Sequence, residues 1–386
     1  MTEAVEQLAI HKLPLDEIHR QGGALMGLRD GWSVPTSYGD SSAEYRAVRE
    51  EGSTGLIELS SHARIEVSGA EAVQFLNGLV TNDMKTLADG AWMPAAFPTP
   101  QGRLIASTRV LRRQDSFLFL TETVSHASLL KTLERFTLAG DFHVKDLTGT
   151  LAQLSVQGAS SSEVVGQVLG QEAGRVERLR AVELLWKERS VSVIRATHTA
   201  EDGFDLFIDA AQASLLWQEL TAAGAKAFGF DALEILRIEA GLPRYGLDMD
   251  ETNIVTEAGL DDAVSYTKGC YTGQEIIARI HWRGHVAKKL TGLVFDTEGN
   301  IERDAKIRTE ADGKEIGRIT STTFSPHLKR TIALGYVKYD YLKPGTRVIV
   351  ASGNEERGAI VTELPFVRGS WSDDAAPTET EGETGA

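Results

Sequence analysis

Residues 288–324 read KKLTGLVFDTEGNIERDAKIRTEADGKEIGRITSTTF, and this stretch decides the expected fold of the last part of the chain. Short apolar segments of strand type alternate with turn residues such as Asp312-Gly313. The same texture continues in three later segments, TIALGYVKYD (331–340), TRVIVA (346–351) and GAIVTELPF (358–366). Short strands at regular spacing predict a small antiparallel barrel or sandwich. We place this C-terminal β-barrel domain at residues 287–367.

The region before the barrel mixes strand and helix patterns. ARIEVSG (63–69) alternates apolar and polar residues, and the next segment, AEAVQFLNGLV (70–80), has a helical period. A hairpin follows at 103–123, and a similar set of strands and helices recurs between 151 and 224. Because strict βαβα alternation is lacking, the sequence predicts α+β architecture with antiparallel sheets. We expect two interleaved α+β domains over residues 46–286.

The two ends of the chain have different compositions. Residues 1–45 are of mixed polarity and predict an N-terminal arm. Residues 368–386 contain five carboxylates and no Lys or Arg after Arg368, and they predict a disordered acidic tail. The first thirty residues include acidic side chains and no apolar run, which argues against a targeting segment. We therefore expect a cytoplasmic protein without a membrane span.

Bulk composition excludes several classes of function. The net charge of −15 argues against stable nucleic-acid binding or a general anionic-membrane surface. A single cysteine in 386 residues rules out an intramolecular disulfide and any zinc or iron–sulfur site built from this chain's thiolates alone. Neither a dinucleotide fingerprint nor a phosphate loop is present. We accordingly predict no metal site.

The single cysteine, Cys270, lies in KGCYTGQE (268–275). Thr272 and Glu275 have the spacing of a capping box, which predicts a helix that starts at 272 to 273. A thiol beside Lys268 and a helix N-terminus should have a lowered pKa and could be nucleophilic. The alternative is a small buried hydrophobic residue, the usual role of a lone cysteine.

A basic run follows the cysteine motif. It contains six basic side chains with no acidic residue between them, namely Arg279, His281, Arg283, His285, Lys288 and Lys289. The run could bind an anion such as a polyglutamate tail, a phosphate or RNA. The basic run is about equally consistent with a solvated face that balances the acidic stretch 239–262. His281 and His285 are an unconvincing metal pair because Gly284 interrupts the helix between them.

Three motifs together resemble a folate-binding superfamily that contains the glycine-cleavage aminomethyltransferase and the YgfZ-type proteins. They are FLNGLVTNDMKTL with TPQGRLIASTRVLRR (75–113), THTAEDGFDLFI (197–208) with the segment 233–260, and KGCYTGQE (268–275). The third motif is similar to the signature of the YgfZ branch. The resemblance implies three domains in a ring around a central folate-binding channel, with tetrahydrofolate as the ligand.

The resemblance also assigns roles to individual residues. Asp205 matches an acidic position that pairs with the pterin ring, and a carboxylate can accept two parallel hydrogen bonds there. Arg237 matches an arginine near the folate, and its planar fork suits a carboxylate or a carbonyl-rich ligand. His198 replaces a tyrosine expected beside the pterin. The motif residues Lys268, Gly269, Cys270 and Tyr271 complete the predicted site, with Cys270 and Lys268 as its catalytic pair.

One departure separates the branches. Where the transferases carry an acidic pair directly after the segment QGRLI (101–105), this chain has Ala106-Ser107. Without that carboxylate, transfer loses a group expected to stabilise or relay charge at the reacting nitrogen. We therefore expect a folate-binding accessory protein that supports iron–sulfur cluster assembly or repair and tRNA modification by cluster enzymes, with iron–sulfur client or assembly proteins as partners. The alternative is a folate-dependent one-carbon (aminomethyl) transferase or demethylase.

Overall fold

The structure is a computed structural model that describes residues 10–138 and 140–373. The predicted α+β fold class with a C-terminal barrel is confirmed. Residues 1–9 of the predicted arm and residues 374–386 of the predicted acidic tail lie outside the described residues.

In the described part of the chain, the strands are β1 (His11–Lys12), β2 (Leu25–Arg29), β3 (Trp32–Ser37), β4 (Gly55–Glu58), β5 (Ala63–Ser68), β6 (Trp92–Pro98), β7 (Leu104–Arg113), β8 (Ser116–Thr121), β9 (His143–Asp146), β10 (Leu151–Gln157), β11 (Ala181–Trp186), β12 (Arg189–Arg195), β13 (Gly203–Asp209), β14 (Lys226–Ala227), β15 (Lys288–Phe295), β16 (Lys306–Thr309), β17 (Glu315–Ser325), β18 (Arg330–Lys338), β19 (Arg347–Ser352) and β20 (Glu355–Thr362). The α-helices are α1 (Asp16–Gln21), α2 (Ser41–Arg49), α3 (Ala72–Leu79), α4 (His126–Glu134), α5 (Ser161–Leu169), α6 (Gln171–Gly174), α7 (Ala213–Ala222), α8 (Phe230–Glu239), α9 (Gln274–Arg283) and α10 (Ser370–Asp373).

Two larger sheets form the body before the barrel. One has the order β11-β12-β13-β10-β4-β14 and the other has the order β6-β7-β8-β5-β9. The first packs against α5 and α7 through a core that includes Val156, Phe204 and Trp217. The second packs against α3 and α4 through Leu76, Phe119 and Leu133. Since the strand pairs are antiparallel apart from β4 with β14, hairpins and helices on one face suffice to connect them.

The N-terminal residues form a small sheet of order β1-β3-β2. Its buried side, with Trp32 and Val34, packs against α2, α8 and the strand β4. The described part of the predicted arm therefore contributes apolar side chains to the body of the protein.

The strands β15 to β20 form a closed barrel of order β15-β18-β17-β16-β19-β20. Its interior is apolar and includes Leu293, Ile307, Ile319 and Val350. Closure removes exposed strand edges, which explains why the turn-rich sequence forms a barrel rather than an open sheet. No helix of the described residues is long and apolar enough to cross a membrane.

A buried carboxylate, Glu239, joins three distant segments. The residue ends α8, and its oxygens accept hydrogen bonds from Tyr45 at 2.8 Å, Arg49 at 3.0 Å and Ser325 of the barrel strand β17. Arg49 also pairs with Glu201 at 2.7 Å. A buried ion pair is costly to form, but removing one partner leaves a buried charge unpaired. Glu239 is therefore a cross-link between the N-terminal helix α2, the helix α8 and the barrel.

Replacing Glu239 with alanine should destabilise the folded protein strongly. The substitution leaves Arg49 with Glu201 alone and removes the acceptor of Tyr45 and Ser325, and breaking a buried pair costs about 3–5 kcal/mol. Urea denaturation followed by circular dichroism measures the change. The control is Glu50→Ala, because Glu50 forms only a surface pair with Arg46 and its loss should change stability by at most about 0.5 kcal/mol. Equal effects of the two substitutions would contradict the cross-linking role.

Candidate functional site

A central cavity of about 550 Å³ lies where the two larger sheets, α8 and two loops meet. The sheets supply Ser107, Arg109, Gln153 and Asp205, and α8 supplies Arg237. The loops are 241–249 and 259–262, which contribute Leu242, Arg244, Tyr245, Met249, Asp261 and Asp262 among others. A concave site lined by apolar walls with a few convergent polar groups is typical of small-molecule binding.

Asp205, His198 and Arg109 form a charged cluster in the cavity wall. His198 Nε2 lies 3.0 Å from each carboxylate oxygen of Asp205, and Arg109 Nη1 lies 3.5 Å from Oδ2. Arg109 is held in place by donating to the backbone oxygen of Thr197 at 2.7 Å and by stacking over the Trp92 ring. Burial alone would raise the pKa of Asp205, but His198 and Arg109 outweigh burial and hold the pKa below its usual range. The cluster therefore keeps a buried carboxylate ionised.

Strand register explains how the cluster assembles. Asp205 on β13 pairs with Ser155 on β10 and with Ile194 on β12, so its side chain comes from the middle of the sheet. Arg109 comes from β7 in the other sheet, where alternation puts residues 107 and 109 on the same face. The sequence motif around 103–113 contained Arg109, but its pattern gave no sign that a strand of the other sheet would lie opposite it.

Arg237 lines the cavity, but its guanidinium is fully used inside the chain. Its five N–H groups donate to Glu234 twice, to the backbone oxygen of Leu242, to Asp248 at 2.7 Å and to Ser321 at 2.8 Å. Asp248 is itself fully buried. Burial opposes the charge of Arg237, but the carboxylates of Asp248 and Glu234 raise its pKa above the usual value. In this geometry Arg237 fixes the cavity wall and the barrel to each other.

Other polar atoms of the cavity wall lack a partner among the described residues. The side-chain oxygen Oε1 of Gln153, a residue only 1% exposed, accepts no hydrogen bond. Nε and Nη1 of Arg244 likewise donate none, and the closest carboxylate, that of Asp30, lies 3.7 Å from Nη1. Unpaired buried polar atoms are costly unless a ligand or water satisfies them. Gln153 and Arg244 thus line the cavity and carry buried polar atoms that no side chain or backbone group of the described residues satisfies.

His62 and Glu122 form a second polar pair in the cavity. His62 Nε2 lies 3.7 Å from Glu122 Oε2, which is beyond hydrogen-bonding distance. Burial lowers the pKa of His62 to about 4 despite the nearby carboxylate, so the imidazole is uncharged at neutral pH. Neither residue belongs to a sequence motif, and only the tertiary structure brings the two into the cavity.

The cysteine motif lies outside the cavity lining. Cys270 is exposed, and the ammonium group of Lys268 donates to the backbone oxygens of Val80 at 2.9 Å and Asn82 at 2.6 Å. Burial lowers the pKa of Lys268 to about 8. Tyr271 is buried among apolar residues, with its ring 5.0 Å from the Lys268 ammonium, and Gly269 is exposed. The structure does not bring these residues together with Asp205, His198 and Arg237, and their predicted roles stay predictions.

The predicted capping box is wrong, although the helix starts close to the expected place. Helix α9 begins at Gln274, and its N-cap is Gly273, whose φ of 78° suits glycine. A Cβ at this position would meet the backbone oxygen of Thr99 at 2.5 Å. Thr272 instead donates to the backbone oxygen of Gly78, and Glu275 pairs with Arg279 one turn later. Tertiary contacts with the segment before α9 have replaced the local cap.

The chain is similar to proteins of one family over almost its whole length. Residues 15–268 match the GCVT N-terminal domain, and residues 288–368 match the glycine cleavage T-protein C-terminal barrel domain. Relatives named aminomethyltransferase include one from Rubrobacter xylanophilus, 32% identical over 95% of this chain and 96% of that protein. Another, from Nitrosomonas eutropha, is 31% identical over 92% of this chain and 97% of that protein.

A solved structure has the same fold. The crystal structure of glycine cleavage system aminomethyltransferase T from Bartonella henselae superposes with a TM-score of 0.85. The match covers 93% of this chain and 98% of that chain at 24% sequence identity, which is evidence for the fold alone.

These relatives correct the function expected from the cysteine motif. The expectation of an iron–sulfur accessory protein is wrong, because relatives that match over more than nine-tenths of the chain are named aminomethyltransferase. Iron–sulfur and tRNA-modification partners have no support from them. KGCYTGQE is eight residues long, whereas the domain matches extend over residues 15–268 and 288–368. The two domain matches and the curated relatives show that this chain belongs to the family of glycine cleavage T-proteins.

Proposed function

We propose that this protein is a tetrahydrofolate-dependent one-carbon transferase of the aminomethyl type, with the central cavity as its active site. The observation that carries the proposal is the cavity wall itself, where an ionised buried carboxylate at Asp205 lies beside unpaired polar atoms of Gln153 and Arg244. The names of the relatives support the same class of reaction.

The polar groups of the cavity fit the chemistry of a folate. Asp205 retains lone pairs for the amino and ring N–H groups of a pterin, since a carboxylate offers about four acceptor sites. Gln153 Oε1 supplies a further acceptor next to this sheet. Arg244 and Arg29 supply positive charge for the carboxylates of the folate tail, and burial lowers the pKa of Arg29. When bound, tetrahydrofolate supplies the two nitrogens that accept the one-carbon unit.

His198 and Arg237 act in this proposal by positioning other groups. His198 holds the Asp205 carboxylate through its Nε2 contacts. Arg237 fixes the loop 241–249 through Leu242 and Asp248, so it shapes the wall from which Arg244 projects. The donors of Arg237 are used within the chain, and direct folate recognition falls to Asp205, Gln153, Arg29 and Arg244.

The site departs from the transferases at one position. Ala106 is buried in the core of its sheet, whereas Ser107 lines the cavity, so Ser107 stands where a carboxylate would face the ligand. This departure supports a second candidate, a folate-dependent demethylase that uses the same cavity with a different carbon donor. Product analysis distinguishes the two, because only the aminomethyl transferase releases ammonia together with methylenetetrahydrofolate.

Asp205→Asn should weaken tetrahydrofolate binding by about 10- to 100-fold, because it removes the charge from hydrogen bonds worth about 1.5–3 kcal/mol. Isothermal titration calorimetry measures the change. The matched control is Asp115→Asn, which makes the same chemical change at an exposed turn outside the cavity and should leave binding unaltered. If Asp205→Asn folds and binds as tightly as the wild type, the proposed binding mode is wrong.

Cys270→Ala should leave both tetrahydrofolate binding and one-carbon turnover within about twofold of the wild type, since ordinary surface substitutions change energies by at most about 0.5 kcal/mol. The physical reason is that the thiol is exposed and outside the cavity lining. A large loss of turnover would instead return the cysteine to the mechanism.

His62 gives a test of the cavity by pH. Because its pKa is lowered from 6.5 to about 4, only the unfolded chain takes up its proton between these values. Stability is therefore fully present above pH 6.5 and is lost as the pH falls towards 4, by about 3 kcal/mol for this group.

The experiment compares wild type with His62→Gln, which cannot titrate. Urea unfolding at pH 7.5 and 4.5 should show the wild type losing more stability than the variant across this interval. Because each protein is compared with itself at the two pH values, a pH-independent change in stability caused by the substitution does not affect the result. An identical loss in both proteins would show that the imidazole is not held in its uncharged form.

A further inference from the structure

The cavity contains a carboxylate, that of Glu122, which no sequence motif identifies and which accepts no hydrogen bond among the described residues. Glu122 lines the cavity with its side chain 24% exposed. Among the described residues its carboxylate accepts no hydrogen bond, and its closest cationic or titratable neighbour is His62 at 3.7 Å. Because the pKa of His62 is about 4, the imidazole does not neutralise Glu122 at neutral pH. The carboxylate is therefore available to a ligand.

Strand register puts Glu122 beside the position where the carboxylate is missing. In the pair β5–β8, Ala63 lies opposite Thr121, and in the pair β7–β8, Thr108 lies opposite Thr121. Continuing this register by one residue puts His62, Glu122 and Ser107 in a row, in which His62 precedes β5, Glu122 follows β8 and Ser107 lies within β7. Thr121 donates to the backbone oxygen of Ser107 at 2.8 Å and keeps β7 and β8 together at this point.

All three members of the row line the cavity, and alternation from the core residues Ala106 and Phe119 puts Ser107 and Glu122 on the same face of the sheet. Neighbouring side chains on one face of paired strands have their Cβ atoms about 5 Å apart. A glutamate is also one methylene longer than an aspartate. From this row Glu122 can therefore reach the region that a carboxylate at residue 107 would serve.

We propose that Glu122 is the carboxylate that serves the reacting nitrogen of tetrahydrofolate in this protein, in place of the one absent at Ser107. This inference rests on the proposed function. It assigns a catalytic role to Glu122, which lies one residue beyond β8, the strand that pairs with β7 and its Ser107.

The proton balance of the transfer gives Glu122 its task. Two bonds form between the one-carbon unit and the two reacting nitrogens of tetrahydrofolate, while the bonds from that carbon to its amine and to its carrier break. The two N–H protons of the folate pass to the two leaving atoms, so no oxidant or reductant is required. Glu122 takes one of these protons as the C–N bond forms and delivers it to the departing amine.

The charges that face Glu122 come from several elements. Arg29 on β2 and Arg109 on β7 both feel its negative charge. His62 lies at the start of β5, and His198 with Asp205 lies on the opposite wall. Arg29 and Arg109 therefore place positive charge close enough to Glu122 to interact with its carboxylate.

Glu122→Gln keeps the shape of the side chain and removes the proton acceptor. Binding is compared for tetrahydrofolate, which has N–H groups at both reacting nitrogens, and for 5,10-methylenetetrahydrofolate, which has neither. The substitution should weaken tetrahydrofolate binding by about tenfold, the effect of one hydrogen bond to a charged acceptor, and should leave the methylene form within about threefold. A purely structural role would weaken both forms equally.

Turnover is the second measurement, with methylenetetrahydrofolate, ammonium and a dithiol as test carrier in the reverse direction. The kcat should fall by about 100-fold or more, the usual contribution of a positioned acid or base.

Glu134→Gln is the matched control, because Glu134 is exposed at the end of α4 and outside the cavity. Adding Ser107→Asp to Glu122→Gln should restore at least a tenth of the wild-type kcat, because it returns a carboxylate to the adjacent strand.

The outcomes separate this inference from the function on which it rests. If the wild type discriminates the two folates and Glu122→Gln does so equally, Glu122 has no such role and the proposed function stands. If the wild type binds neither folate, the proposed function fails and this inference fails with it. Loss of discrimination in Glu122→Gln, with rescue by Ser107→Asp, supports the assignment.

Discussion

The cavity depends on one buried carboxylate, that of Asp248. It accepts hydrogen bonds from Arg237 at 2.7 Å, from Thr320 and Ser321 at 2.6 Å each and from the backbone of Arg244 at 3.0 Å. These contacts join the helix α8, the barrel strand β17 and the loop 241–249. A buried charge with four donors is stable, whereas a buried charge without them is very unfavourable. The three elements are therefore held in one arrangement, and the cavity wall follows from it.

Within that frame the charges of the cavity differ from those of the whole protein. The chain carries a net charge of −15, whereas the cavity lining contains four arginines and four carboxylates, namely Arg29, Arg109, Arg237, Arg244, Glu122, Asp205, Asp261 and Asp262. Arginine side chains in such a low-dielectric site attract the anionic groups of a ligand even when the protein as a whole is acidic. Asp205 is ionised because His198 and Arg109 compensate for its burial. An anionic ligand with N–H donors at one end, as a folate has, fits this distribution.

The row of His62, Glu122 and Ser107 shows that the residue at position 107 can differ from that of the transferases while the fold is kept. Ser107 faces the cavity because alternation along β7 directs Ala106 into the core instead. In our proposal Glu122, one residue beyond the neighbouring strand β8, supplies the missing carboxylate. Similarity over the whole chain therefore agrees with the fold and the reaction class, while the position of the carboxylate is a property of this sequence.

The sequence by itself determined the barrel, the α+β body and the candidates Asp205 and His198, because these depend on local periodicity and on motifs that are continuous in the chain. The function predicted from KGCYTGQE was wrong, because a short motif near a helix start says nothing about where the helix lies relative to a cavity. The roles of Arg109, Gln153, His62 and Glu122 were hidden, as they come from strands far apart in sequence. Arg237 was found as a candidate, but only the structure revealed that its five donors are already used. Strand register and buried hydrogen bonds decide such relations, and both exist only once distant segments have packed together.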